Sequence, residues 1–346
     1  MEIQKNKPVA FWLLTGAVMI IIQILIGGIT RLTGSGLSIT EWQPLLGTLP
    51  PMNESQWNEA FDKYKEIAQY KYIHNYFTLS DFKFIYFWEW FHRNWGRLMG
   101  LVFAIPFVYF LYKKKINRTM LWPMIILFLL GGLQGALGWI MVKSGIGTDL
   151  LYVSHIRLAI HFIAALILLV YVIWFALKIS VPKEKLTFSP YIKWFSVLIL
   201  FLLGIQLVYG AFMAGTHAAK SAITWPTING SFFPKMFNEG AFLHDVTNNL
   251  ITIQFVHRNL AYLLVILILV YSRRLSRQPI NSFLFKWRWL PVILVTVQVT
   301  LGILSLINYL NNNKLIFSIL HQLVGILLLC CIIIFYYFSR GKNISK

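Results

Sequence analysis

Residues 89–94 read Glu-Trp-Phe-His-Arg-Asn, and residues 254–259 read Gln-Phe-Val-His-Arg-Asn. The two histidines, His92 and His257, stand 165 positions apart, each inside a long apolar run. An ionisable ring in such a run is costly unless something engages it, so each is a candidate site. Two further landmarks keep nearly the same offset. Gln134-Gly-Ala-Leu-Gly138 is echoed by Gln298-Val-Thr-Leu-Gly302, 164 positions on, and His161 by His321, 160 positions on. The chain therefore reads as a tandem duplication.

Composition says what is duplicated. Of 346 residues, 58 % are hydrophobic and only 12 % charged, whereas a soluble domain carries roughly a quarter charged residues. Too little polar surface remains for a water-soluble body. Apolar runs long enough to cross a hydrocarbon core of about 30 Å occur at 9–30, 84–112, 119–142, 152–178, 191–216, 249–272, 284–308 and 314–338. Backbone in lipid must satisfy its own hydrogen bonds, and no alternating strand pattern is present, so these are helices. The fold expected is an all-α integral membrane protein of eight transmembrane helices. They form two tandem, pseudo-twofold-related four-helix bundles, residues 1–180 and 181–346, because a shift of four helices preserves topology. The first run continues for more than 20 residues without a small-residue cleavage site, which favours a retained helix over a secretory signal.

The net charge of +19 is no nucleic-acid footprint, because the basic residues sit in short clusters between the apolar runs. Lys5 and Lys7 come first; then Lys113–Lys115 with Arg118; then Lys178, Lys183, Lys185 and Lys193; then Arg273, Arg274, Arg277, Lys286 and Arg288; and finally Arg340, Lys342 and Lys346. Every second loop is basic, so both termini are expected on the cytoplasmic side. Two outer segments are long, 31–83 and 217–248, and the first holds Glu41, Glu54, Glu59, Asp62, Glu66 and Asp81, half of the 12 acidic residues. Such a segment either covers a site or lies on the membrane as an amphipathic hairpin. The only cysteines, Cys330 and Cys331, are adjacent in an apolar run and suggest neither a disulfide nor a thiolate metal site.

Of eight histidines, His74, His217 and His244 fall in or beside the outer segments, while His92, His155, His161, His257 and His321 fall on helices near their outer ends. His155 and His161 are about 600° apart around one helix and face different ways. The repeat selects His161 and leaves His155 as an edge residue. Two imidazoles on facing helices of a four-helix unit can hold a haem iron axially. Zinc is less apt, since no cysteine or third histidine completes its set. Arg93, Arg97, Arg157 and Arg258 lie next to or within a turn or two of these histidines and are candidate contacts for haem propionates. The competing reading for an arginine here is snorkelling to head groups. One asymmetry stands out. Glu89 precedes His92 by three residues, on the same helix face, where Gln254 precedes His257. A carboxyl in one pocket and an amide in the other assigns chemistry to the first half and a plain bis-histidine haem to the second. The alternative role for Glu89 is an ion pair with an arginine such as Arg93.

Three stretches carry a family resemblance: Gly27-Gly-Ile-Thr-Arg-Leu-Thr-Gly-Ser-Gly-Leu-Ser38, Asp81 to Gly100 with Glu89-Trp-Phe-His-Arg-Asn-Trp-Gly-Arg97, and Val153-Ser-His-Ile-Arg-Leu-Ala-Ile-His161. Gly210-Ala-Phe-Met-Ala-Gly215, Phe255-Val-His-Arg-Asn259 and Leu320-His-Gln322 extend it through the second half. Together they resemble haem A synthase, most closely the branch that includes the mitochondrial enzyme. The resemblance implies an oxidoreductase that converts the C8 methyl group of haem O to the formyl group of haem A, the cofactor of cytochrome oxidase. Successive hydroxylation and loss of water from the gem-diol would give the aldehyde. It implies haem b held by His257 and His321, a haem O site with His92 and His161, and Glu89 as the essential carboxylate. It also implies a bacterial plasma membrane location with the haem sites near the outer face. The partners expected are the lipid bilayer, haem O synthase and oxidase assembly factors, with a homo-oligomer left open and nucleic acid excluded. Some members carry a cysteine pair in the first outer loop; this chain has none there, which removes thiol chemistry from that loop. The competing function is a dihaem b-type electron carrier, against which the Glu89/Gln254 difference speaks. A solute transporter explains the repeat but leaves the matched histidines without a role.

Overall fold

The computed structural model describes residues 2–41, 46–237, 240–311 and 313–342. Among these, eight helices are long and apolar enough to cross a bilayer. They are α1 (Glu2–Leu32), α2 (Leu79–Tyr112), α3 (Arg118–Lys143), α4 (His155–Ser180), α5 (Pro190–Gly215), α6 (Leu250–Leu275), α7 (Leu290–Ile307) and α8 (Lys314–Phe338). The protein is an all-α integral membrane protein, as its composition requires. Lys346, one of the basic residues used to read orientation, lies outside the described residues.

Local chemistry sets the helix ends. Thr78 and Asp81 form a reciprocal capping box that starts α2 at Leu79, five residues before the apolar run begins, because caps rather than hydrophobicity nucleate the first turn. Asn117 and Asn249 cap α3 and α6 by accepting backbone N–H groups. The seventh span is shorter than the apolar run suggests. A separate turn, Phe283–Lys286, precedes it, and the helix restarts at Leu290 with Pro291 in its first turn, where a missing N–H costs nothing.

The chain forms two compact units, one of residues 18–168 and one of residues 1–17 with 169–346. In the second unit α5 packs on α6, α6 on α7, α7 on α8 and α8 on α5, closing a four-helix ring. Its interior is apolar, with Ile199, Ile268 and Ile332 fully buried, and Ser196 bonded to the Tyr271 hydroxyl at 2.7 Å. The inner end of α4 joins this unit, with Trp174 stacked on Tyr336 and the Tyr337 hydroxyl donating to the Leu177 carbonyl. Packing thus divides the chain inside α1 and α4, whereas the sequence repeat divides it at 180/181.

In the first unit the outer part of α1 is stitched to α2. Trp95 Nε1 donates to the Met19 carbonyl at 3.0 Å and the Thr30 hydroxyl to the Trp88 carbonyl at 3.2 Å. The outer segment after α1 is a packed layer with its own core of Leu37, Phe61, Tyr64, Ile67, Phe82 and Ile85. It contains a helix, Glu54–Lys65, capped by Asn53. Tyr64 meets Nδ1 of His74 at 2.6 Å, and the His74 ring lies over Gly34, whose φ of +71° suits a residue without Cβ. Away from these contacts the helices present bare apolar faces: Leu101, Ile105 and Val108 on α2 and Phe128 and Leu129 on α3 are all exposed. Lipid is the solvent such faces require.

Candidate functional site

All four repeat-matched histidines meet the same structural partner. A Cβ placed on Gly27 would lie 3.0 Å from Nε2 of His92; one on Gly138 would lie 3.2 Å from Cε1 of His161. In the second unit the corresponding distances to Cε1 are 3.5 Å for Gly210 and His257 and 2.8 Å for Gly302 and His321. The His92, His161 and His321 rings therefore rest in slots too tight for a side chain, and the His257 ring lies in ordinary contact over Gly210. Each glycine is the last residue of a Gln-x-x-x-Gly run: Gln23–Gly27, Gln134–Gly138, Gln206–Gly210 and Gln298–Gly302. The repeat as first read contains only the second and fourth of these. The first and third were missed because α1 and α5 otherwise read as plain apolar runs, though the five-residue spacing was there to find. Spacing of i, i+4 puts each amide and its glycine on one helix face.

In the second unit the rings of His257 and His321 have centroids 6.4 Å apart. Two imidazoles that bind one metal through bonds of about 2 Å have centroids ~6 Å apart, so the pair has the span of an axial clamp. His321 Nδ1 lies 2.9 Å from the Gln298 carbonyl, which makes Nδ1 the N–H donor and leaves the Nε2 lone pair for a metal. In this structure the Gln298 and Gln206 amide nitrogens face Nε2 of His321 and His257 at 3.3 and 3.5 Å. Nδ1 of His257 and the side-chain oxygens of Gln206 and Gln298 are buried without partners. The first unit matches: Nδ1 of His161 and the side-chain oxygens of Gln23 and Gln134 are likewise buried and unpartnered. Orphaned polar atoms are costly in a finished interior, and their clustering around the histidines suits a polar, metal-centred guest.

The sharpest difference between the units is the residue before each histidine. Glu89 is 3 % exposed. Its Oε2 accepts from the Ser38 hydroxyl at 2.7 Å and the Ile39 N–H at 2.9 Å, and its Oε1 from Arg93 at 2.6 Å. Arg93 also donates to the carbonyls of Ile39 and Glu41. Gln254 repeats the plan without charge. Its amide donates to the Ala218 carbonyl at 2.6 Å and the Ser221 hydroxyl at 3.2 Å, and its oxygen accepts from Arg258. Arg258 donates further to the carbonyls of Ala222, Thr224 and Thr227. In both units an i, i+4 pair straps the outer segment onto the helix that carries the histidine. The ion pair between Glu89 and Arg93 is present, and in this structure both repeated arginines hold loop carbonyls.

The remaining candidates fall elsewhere. Arg97 donates to Asn94 Oδ1 at 2.7 Å, and Arg157 to the Ile140 carbonyl at 2.9 Å beside an open cavity. His155 is the first residue of α4, at the helix edge. His74 is buried in the outer layer, and His244 is exposed 3.5 Å from Asp245. Thr48, in the outer segment, accepts at its carbonyl from both Trp90 and Asn94. That segment thus packs on the part of α2 that carries Trp90 and Asn94. Among the described residues no three His, Cys, Asp or Glu side chains gather as a metal-holding group.

The fold defines a multi-pass all-α membrane protein whose two compact units each hold two histidines lying over the glycines of Gln-x-x-x-Gly runs. The chain belongs to the COX15-CtaA family, described as cytochrome oxidase assembly protein, whose model matches residues 10–333. Among its relatives, the haem A synthase of Flavobacterium psychrophilum is 40 % identical, the match covering 94 % of this chain and 96 % of the relative. That of Flavobacterium johnsoniae is 39 % identical over the same shares. That of Parvibaculum lavamentivorans is 43 % identical, covering 81 % of this chain and 82 % of the relative.

Proposed function

We propose that this protein is an enzyme of haem A formation that oxidises the C8 methyl group of haem O to a formyl group. Family membership and the named relatives support a role in haem A biosynthesis. The observation that carries the finer reading is the pairing of near-identical histidine seats with unlike neighbours, Glu89–Arg93 against Gln254–Arg258. In this reading His257 and His321 hold a resident haem b, which supplies electron transfer when bound. His92 and His161 hold the haem that is changed. Orientation follows the basic loops, with both termini cytoplasmic and the histidines toward the outer face of a bacterial plasma membrane.

The protein's own contribution at the first site is positional and electrostatic. Gly27 and Gly138 leave room for the His92 and His161 rings against their helices. Glu89 lies on the same face as His92 and is fixed by three donors. Converting a methyl to a formyl group takes up one oxygen, formally from water, and releases four protons and four electrons to an external acceptor, and a preset anion favours the positive charge that develops. The Ser38 hydroxyl, bonded to Glu89 Oε2, gives protons a short path toward the outer segment.

Glu89→Gln removes the negative charge at nearly constant size. Every partner of Glu89 is a donor, whereas Gln254 donates to the Ala218 carbonyl and the Ser221 hydroxyl, so the new amide leaves one donor unmet and the haem b spectrum serves as the control for folding. Membranes containing the wild-type chain and a supply of haem O should yield haem A on pigment extraction. Glu89→Gln should keep the haem b spectrum and yield no haem A. Undiminished haem A from the variant contradicts the assignment. If the intact protein holds two haems and never makes haem A, the dihaem electron-carrier reading replaces it.

A further inference from the structure

The connection between α3 and α4, residues 144–154, frames an open cavity of about 670 Å³ lined by Lys143, Ser144, Thr148, Leu150, Ser154 and Arg157. The frame is hydrogen-bonded. Buried Ser144 donates through its hydroxyl to the Met141 carbonyl at 2.6 Å and accepts the Ser154 N–H at 2.9 Å, and Thr148 donates to the Ser144 carbonyl. Two cations flank it, Lys143 at the end of α3 and Arg157 in the first turn of α4. Arg157 gives one of its N–H donors to the Ile140 carbonyl at 2.9 Å, and that bond fixes where the guanidinium sits. Asp149, on the same connection, is not among the lining residues.

The cavity sits just outward of a histidine seat. Arg157 precedes His161 by four residues and so shares its helix face, and Lys143 follows Gly138, the residue beneath the His161 ring, by five. One to two helical turns, about 5–8 Å, separate the two levels. The second unit lacks this arrangement. The offsets of the repeat carry Lys143 to Ile307 and Arg157 to Phe317. The cation nearest in register, Lys314 opposite Ser154, lies 4.3 Å over the Tyr309 ring. The connection there, 308–313, is shorter.

We propose that this cavity binds carboxylates, and that it is the dock where Lys143 and Arg157 receive the two propionates of the porphyrin exchanged at His92 and His161. The inference rests on the assignment of the first unit to the substrate. A porphyrin that arrives and leaves has an apolar body suited to the helices and an anionic edge that must be recognised where water reaches. An open, doubly cationic rim beside one histidine pair meets that need. A haem that stays bound does not require it, and the matching positions of the second unit, Ile307 and Phe317, carry no charge.

The test uses the full chain in nanodiscs of neutral phosphatidylcholine, titrated with haem O or its propionate dimethyl ester and followed by absorption. Lys143→Gln with Arg157→Gln should weaken binding of the free acid at least tenfold, a loss of about 1.4 kcal/mol or more. It should leave the diester titration and the resident haem spectrum unchanged. Wild-type affinity in the double variant overturns the proposal, as does an equal loss for acid and diester. So does normal haem O binding combined with lost retention of added phosphatidylglycerol, which makes the cavity a phosphate head-group site. His161→Ala separates the two levels of inference. If it abolishes the titration while the double variant does not, the dock alone fails; if the titration survives His161→Ala, the substrate assignment fails with it.

Discussion

At the scale of single residues, the account turns on Glu89 and its counterpart Gln254. Both sit three residues before a histidine, and both are bonded to an arginine four residues on. Replacing Glu89 by alanine leaves half-buried Arg93 without its carboxylate and the Ser38 hydroxyl and Ile39 N–H without an acceptor, and should cost about 1–3 kcal/mol, read as lower yield or melting temperature in addition to lost activity. Glu89→Gln should lose activity together with about 1–3 kcal/mol of stability, because its amide faces only donors, and Gln254→Glu, which sets a carboxylate against the Ala218 carbonyl, should create no second reaction site. The sequence displays Glu89, the four histidines and their offsets, because one-dimensional periodicity carries those. It does not display what Arg93 and Arg258 grip. Their acceptors are carbonyls of Ile39, Glu41, Ala222, Thr224 and Thr227, tens of residues away, and carbonyls look alike in any sequence.

At the scale of elements, the glycine slots and the outer layer make separate predictions. Gly302→Ala puts a methyl group 2.8 Å from His321, an overpacking worth about 1–3 kcal/mol, and should strip haem from the second unit while the helix survives. Gly210→Ala, at 3.5 Å, is ordinary contact and should be tolerated; haem-to-protein ratios of the two variants decide it. In the outer layer, burial holds the His74 imidazole below its ordinary value. The folded layer therefore binds fewer protons than the opened one. Its stability is complete above the ordinary histidine value of about 6.5 and falls as the pH drops below it. Hydrogen exchange over residues 54–78 should show protection falling as the pH drops below about 6.5, and Tyr64→Phe, which removes the 2.6 Å contact to His74, should lower protection by about 1 kcal/mol. Little of this layer was legible beyond its acidity and length. Trp57, Phe61 and Tyr64 stand at i, i+4 and i+7, a helical stripe that could have been read, but their partners Leu37, Phe82 and Ile85 come from the two flanks of the segment and carry no local mark of the pairing.

At the scale of the whole molecule, duplication lets one chain hold two similar sites and vary one of them. Composition and run length were enough to reveal eight helices, since lipid leaves the backbone few alternatives. Packing divides them differently from the repeat, with the inner ends of α1 and α4 joining the unit of residues 169–346, because inner-end contacts such as Trp174 on Tyr336 leave no mark in the pattern of matched residues. The central claim is that the two histidine pairs are unlike in function. The most direct measurement is the extracted pigment content of two single variants, His321→Ala and His161→Ala, purified from cells that supply haem O. His321→Ala should lose haem b yet still bind haem O, while His161→Ala should keep a full haem b spectrum and neither retain haem O nor form haem A. Equal loss of the same haem from both variants, or haem A made at wild-type levels by His161→Ala, contradicts the account.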